Sequence, residues 1–361
     1  MAIMRILIHG YDNINIGDDL FFQLLTTKYP NVEFFMISTK DYGSIINRPN
    51  FKCIKSNFFN RVCRKLNIIP YQLLFKRFDA IIVIGGSIFM EIGQSGSCGS
   101  IVNIRRYKKW FSRTPIHIIG SNYGPSNTDK FEEAVSELFK IVDSVCLRDS
   151  YSYNFFKDNP KVSFASDVVF QLPRKDREKK TYNTIGISII NLENRPSLIA
   201  HKNSYIKLIK EIINIALSKN NHIKLFSFCE NEGDYDACNE ILNSYDSTTK
   251  NKIEIVNYTG DIDNFLKEFN KVDKLYATRY HAVILGILYQ IPMTPLVYSD
   301  KILYALNDIG DNIPYIDIRV ENNTDPNQMP NFIMDNETLQ KVKACSRNQF
   351  KSINKLVQND N

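Results

Sequence analysis

The run Asp79-Ala80-Ile81-Ile82-Val83-Ile84-Gly85-Gly86-Ser87 constrains the fold more than any other stretch. An unbroken apolar, β-branched segment with no polar alternation fits a strand covered on both faces, as in a parallel sheet flanked by helices. The double glycine at its end leaves room for backbone to turn or for a ligand to approach closely. Arg5-Ile6-Leu7-Ile8-His9-Gly10 and Ile116-His117-Ile118-Ile119-Gly120 repeat the design. Val142-Asp143-Ser144-Val145-Cys146-Leu147 is a further strand of this kind, with Arg148 where the others carry glycine. Between these strands, segments such as Leu20–Leu25 space their apolar residues for a helix.

A second series follows a charged, aperiodic segment from Pro173 to Tyr182, which reads as a linker. Strands are predicted at 184–189, 223–228, 253–256 and 274–276, and helices at 204–217, 234–242 and 262–270. A buried helix over 282–288 runs on to Pro292, and a closing helix is expected over 335–357. The expected fold is therefore α/β, with two Rossmann-like doubly wound domains facing a cleft. Residues 1–172 form the first, 182–320 the second, and 321–361 a helical tail. A chain of 361 residues with 43% hydrophobic and 23% charged residues supports two such cores.

Composition removes several function classes. The longest apolar runs fall far short of the ~20 residues that cross a bilayer. The chain enters its first strand directly at Met4-Arg5-Ile6, with no leader pattern, so a cytoplasmic protein is expected. Seven scattered cysteines without a close CxxC pair read as reduced thiols. No His, Cys, Asp or Glu cluster has metal-ligand spacing, so neither a metal nor a bound cofactor is expected. The net charge of +6 allows anionic substrates without requiring nucleic acid, and no RNA-reading aromatic spacing occurs. Two acid-free stretches mix cations with aromatics. One lies between Phe51 and Phe78, with Lys52, Lys55, Arg61, Arg64, Lys65, Lys76 and Arg77, and the other from Gln94 to Thr128, around Trp110. Each fits either a segment lying on anionic lipid or a solvated basic face over core aromatics.

The chemistry-bearing residues fall at strand ends. Ala277-Thr278-Arg279-Tyr280-His281-Ala282 is a polar insertion between a strand and a buried helix. Such a position offers helix N–H groups and partial positive charge to an anion. Arg279 adds a fork suited to carboxylate or phosphate, and His281 a proton near neutral pH. The plain alternative is an ion pair for Arg279 and a cap or core role for His281. In Asn13-Ile14-Asn15-Ile16-Gly17-Asp18-Asp19, Asp18 reads either as a base for a sugar hydroxyl or as a helix cap. This loop lacks the later glycines of a dinucleotide fingerprint. Arg148 faces the same choice between an anion in the crevice and an ion pair with Asp149.

In order and spacing, these segments resemble the polysaccharide pyruvyl transferases over nearly the whole chain. The resemblance is carried by Gly10, Asn15-Ile16-Gly17-Asp18-Asp19, Gly85-Gly86, and Gly120-Ser121-Asn122-Tyr123-Gly124-Pro125. It continues in Leu147-Arg148-Asp149-Ser150, Asp167, Thr278-Arg279-Tyr280-His281-Ala282, Pro292, Tyr298 and Lys301. The family usually has leucine where Tyr280 stands, and often a third glycine where Ser87 stands. The resemblance implies a glycosyltransferase-B-like fold, phosphoenolpyruvate as co-substrate, and a pyruvate ketal formed across two hydroxyls of a sugar in a surface polysaccharide or its lipid-linked precursor. Arg148, Arg279, Tyr280 and His281 fall on the family's donor-binding positions, with Lys301 as a weaker phosphate contact. His281 is the candidate general acid and Asp18 the candidate base. Asn15, Gly17, Gly85, Gly86, Ser121, Asn122 and Tyr123 are loop candidates for the acceptor, on the first domain. A lipid-linked acceptor would give the basic-aromatic stretches a role on the inner membrane face. A sugar-nucleotide glycosyltransferase of the same fold and a non-catalytic glycan-binding protein are the competing readings.

Overall fold

The computed structural model describes residues 3–70, 73, 76–91, 93–173, 183–310, 312–320, 326, 328 and 331–359. The expected linker lies outside the described residues from 174 to 182, as do Tyr71, Leu74 and Phe75 of the first basic-aromatic stretch. The chain divides into two compact units. One comprises Met1–Asp12, Asp18–Gln171 and Lys343–Asn361, the other Asn13–Gly17 and Leu172–Val342.

The first unit holds a seven-stranded sheet of Arg5–His9 (β1), Glu33–Ser38 (β2), Phe51–Lys55 (β3), Ala80–Ile84 (β4), Ile116–Ser121 (β5), Ser144–Leu147 (β6) and Val162–Phe164 (β7). Its order is β3-β2-β1-β4-β5-β6-β7, and every pair is parallel. The second unit holds Thr184–Ile189 (β8), His222–Ser227 (β9), Ile253–Asn257 (β10), Lys274–Ala277 (β11), Met293–Val297 (β12) and Ile316–Asp317 (β13), ordered β10-β9-β8-β11-β12-β13. Both sheets reverse their winding beside the first strand of the unit, between β1 and β4 and between β8 and β11. In doubly wound sheets the crevice outside the strand ends opens at that reversal. Residues 9–12, 18 and 85–87 border one crevice, residues 190–191 and 278–281 the other.

Burial explains the strand pattern. All five residues of β4 are buried, and the cluster around Ile81, Val83, Ile118, Val145 and Leu138 packs helices on the first sheet. Helix starts are fixed by side chains: Thr128 accepts from the Phe131 N–H, Asp149 from Ser152, and Asp261 from Asn264. Asp149 is therefore a cap at the start of Ser150–Phe156.

The closing helix expected over 335–357 is broken. Helices Asn336–Ser346 and Lys351–Asn359 flank a 3₁₀ turn, Arg347–Phe350. The break seats Gln349, which is 1% exposed. Its Oε1 accepts from the Gly120 N–H at 2.8 Å and its Nε2 donates to the Ala165 carbonyl at 2.7 Å. Backbone groups at strand ends are satisfied there by a side chain that a continuous helix would carry past them.

Candidate functional site

In the second unit, β11 hands its chain to the helix Tyr280–Leu288 through Thr278 and Arg279. The N–H groups of both residues donate to Ser188 Oγ, at 2.8 and 3.0 Å. Ser188 lies on β8 opposite Ala277, so the sheet register itself fixes the position of Arg279. Each of its three guanidinium nitrogens donates to a carboxylate. Nε donates to Asp234 Oδ2 at 2.8 Å, Nη2 to Asp234 Oδ1, and Nη1 to Glu232 Oε2 at 2.6 Å. The ion-pair reading of Arg279 thus describes its contacts, with partners that sequence reasoning missed. The signal for them was Glu232-Gly233-Asp234, two carboxylates around a glycine whose φ of 85° favours that residue, directly before the helix Asp234–Asn243.

Asp234 is 0% exposed. Burial pushes its carboxyl above the ordinary value, against the pull of Arg279 and of the Asn191 N–H. Burial acts the same way on Glu232, but the guanidiniums of Arg279 and Arg195 outweigh it and hold the carboxyl at about 2. Arg195 reaches Glu232 at 2.8 Å. Arg195 and Lys301 also lie over the Tyr298 ring, 5.6 and 5.4 Å from its centroid. Burial would raise the Tyr298 phenol, yet Lys301, Arg195 and Arg279 bring it below its ordinary value. Three cations thus share two carboxylates at the amino end of a helix, a local excess of positive charge that favours an anion.

His281 sits in the first turn of that helix, partly buried, with Tyr280 edge-on to its ring at 5.1 Å. The imidazole lies directly on Gly17: a methyl group there would fall 1.7 Å from Nδ1. Neighbouring backbone is pinned to the same unit, since the Ile16 N–H donates to the Phe228 carbonyl at 3.2 Å and Asn13 O accepts from Asn231 at 2.9 Å. Asn15 Oδ1 accepts from the Gly17 N–H at 3.0 Å, and its Nδ2 lies 3.5 Å from Glu232 Oε1. The structure therefore groups Asn15 and Gly17 with Arg279, Tyr280, His281 and Lys301, although they were expected on the first domain.

The first unit holds a separate polar group. Arg148 follows β6 and its side chain is buried; Nη1 donates to Asp167 Oδ2 at 3.1 Å and Nη2 to Asn122 Oδ1 at 2.7 Å. Its buried ion pair is with Asp167. Gly86 lies against the guanidinium, where a Cβ would come within 2.5 Å of Nη1. Asp18 is buried, with Oδ1 beside Gly85. Ser121 is wholly buried at the end of β5. Tyr123 stands apart from this group, because its ring packs among Phe131, Phe155 and Phe156 in the aromatic core. Among the described residues no group of three or more His, Cys, Asp or Glu side chains could hold a metal, and no helix is long and apolar enough to cross a membrane.

The amylovoran biosynthesis protein AmsJ of Erwinia amylovora is 20% identical over 284 residues, covering 71% of this chain. The chain spans 65% of that relative's length. Among solved structures, the UDP-N-acetylglucosamine 2-epimerase of Rickettsia bellii matches with a TM-score of 0.53 at 12% identity, over 99% of this chain and 97% of that one. An S. aureus MnaA–UDP structure matches at 0.52 and 13%, over 82% and 79%. These structural likenesses establish the fold, two Rossmann-like α/β units of the glycosyltransferase-B-like kind. The sequence carries the rest: the pattern of one family matches residues 15–300, and the chain belongs to the polysaccharide pyruvyl transferases.

Proposed function

We propose that this chain transfers the pyruvyl group of phosphoenolpyruvate onto two hydroxyls of a sugar, giving a pyruvate ketal and phosphate. Family membership supports a transferase of polysaccharide synthesis. The observation that carries the donor assignment is the excess of cations over carboxylates around Tyr298, beside the first turn of the helix Tyr280–Leu288. Phosphoenolpyruvate is small and carries both a carboxylate and a phosphate, so it matches an anion site with several donors. In this reading Lys301 and Arg195 meet the anionic groups. Arg279 is a positioning residue, held by Asp234 and Glu232, that keeps the helix terminus and the electrostatics in place.

The reaction balances without an added oxidant, metal or cofactor. The enol methylene takes up one proton and becomes the methyl group, the two hydroxyl oxygens bond to the central carbon, and the C–O bond to phosphate breaks. Of the two hydroxyl protons, one balances the methylene and the other leaves on phosphate. His281 supplies the proton to the methylene, and Asp18 takes one from an acceptor hydroxyl. Gly17, under the imidazole, holds His281 in its position.

The test is isothermal titration with phosphoenolpyruvate, with uridine diphosphate as control, on the wild type and on Lys301→Gln. Phosphoenolpyruvate should bind and Lys301→Gln should weaken it at least tenfold. Binding of the nucleotide alone would move the chain to sugar-nucleotide chemistry, and binding of neither would remove the donor assignment.

The reading extends to a lipid-linked acceptor at an anionic membrane surface. Phe58, Leu66 and Ile68 are exposed in the segment that carries the exposed Lys52, Lys55 and Arg77. Greasy side chains among cations are what an interfacial segment requires. Sedimentation with vesicles should show a preference for anionic over neutral lipid; equal partitioning would refute this extension.

A further inference from the structure

We infer that a cavity in the first unit, beside the carboxyl end of β1, binds a pyranose ring. The cavity measures about 120 Å³ and is bordered by His9 at the end of β1, Asp12 after it, Met36 from β2, Asn60, and Asn103 and Trp110 of the helix Gly99–Trp110. That is roughly ten times the space a single water needs. Asn60 is the second, independent observation. It is 1% exposed, yet neither its side-chain oxygen nor its nitrogen has a hydrogen-bond partner. Its backbone N–H donates to Asn57 Oδ1 at 2.9 Å, which fixes the start of the helix that carries it. A buried amide left unsatisfied is costly to the fold and is expected where a ligand supplies the missing partners.

The lining identifies the chemical class. An amide offers two donors and an acceptor to vicinal hydroxyls, and the indole of Trp110 offers a flat apolar face to the C–H side of a sugar ring. The indole is held in place, because its N–H donates to the Asn67 carbonyl at 3.1 Å and the Arg106 guanidinium lies 5.8 Å from the ring. Asn103 Oδ1 accepts from Arg106 Nη1 at 2.6 Å, and Arg106 also borders the cavity, so displacement by an anion is one of the outcomes the test must separate. Calling the bound ring the acceptor rests on the transfer reaction proposed above; that a sugar binds here does not.

Saturation-transfer NMR on the full chain tests this with a panel of methyl hexopyranosides in gluco, galacto and manno configuration and their N-acetyl counterparts. At least one should show transfer that falls fivefold or more in Asn60→Leu and in Trp110→Leu. The melting temperature of Asn60→Leu should hold or rise, because the substitution removes an unsatisfied amide; a drop would mean that Asn60 serves the fold. Absence of transfer from every sugar, equal transfer in the variants, or displacement by inorganic phosphate would overturn the inference. Phosphoenolpyruvate titration of Asn60→Leu separates the two readings. Intact donor binding with no sugar signal condemns only the cavity, and a sugar signal without donor binding condemns only the donor.

Discussion

Gly17 and His281, 264 positions apart in the chain, are in direct contact, with the imidazole occupying the place where a side chain on residue 17 would stand. Gly17 has an ordinary helical backbone, so its lack of a side chain serves space rather than conformation. The contact ties the position of the candidate acid to the first turn of the helix Ile16–Lys28.

Gly17→Ala should displace His281 and cost about 1–3 kcal/mol by overpacking, against a helix-propensity gain of about 1 kcal/mol. Donor binding or turnover should fall more than stability does. With His281→Ala in the background the obstacle is gone, and the same substitution should become neutral or stabilising by urea denaturation. An equal cost in both backgrounds would show that the imidazole is not what Gly17 makes room for.

Arg148 and Asp167 form a buried pair with side chains 2% and 1% exposed. Removing one charge strands the other, so Asp167→Ala should cost about 3–5 kcal/mol. The double variant Arg148→Met, Asp167→Leu should recover most of that loss, since replacing such a pair with apolar groups is often neutral. Gly86→Ala should also destabilise, because its Cβ would enter the space of the guanidinium. Denaturant melts of the three variants check the ordering.

Strands such as β4 and β5 could be read from sequence because each is a short β-branched apolar run closed by glycine, the pattern of a strand buried on both faces. The missed ones each break that signal. Phe51–Lys55 alternates lysine with apolar residues at the sheet edge, and Met293–Val297 contains Pro295, which argues against an inner strand. Proline is tolerated there because β13 pairs only with Leu296 and Val297, so the ladder starts beyond it. The placement of Arg279 and His281 was legible because a strand end meeting a helix start is local. The pairing of Glu232 and Asp234 with Arg279, and of Glu232 with Arg195, was not, because it depends on the register of β8, β9 and β11, which no local pattern encodes.

Arg279→Lys keeps the charge but not the fork. Three guanidinium nitrogens serve three carboxylate oxygens on Asp234 and Glu232, and one ammonium cannot replace them. Each lost charge-assisted bond to a buried carboxylate is worth about 1.5–3 kcal/mol, so a loss of about 3 kcal/mol is expected, together with weakened phosphoenolpyruvate binding. Unchanged stability and unchanged titration in this variant would make the triad dispensable to both fold and site.

The Glu232 carboxyl gives a pH signature with a definite sign. Burial would raise it, but Arg279 and Arg195 hold it at about 2 against an ordinary 4.5. A carboxyl depressed in the folded state contributes stability in full above its unfolded value and loses it as pH falls toward the folded one. The shift corresponds to about 2–3 kcal/mol after allowance for the 22% exposure of the side chain. Glu232→Gln should therefore be less stable than the wild type near pH 7, and the gap should close between about pH 4.5 and 2 as the wild type takes up its proton. Urea denaturation at a series of pH values measures that gap directly. A gap that stays constant across this window would mean that Glu232 contributes through packing, with no charge linkage to Arg279 and Arg195.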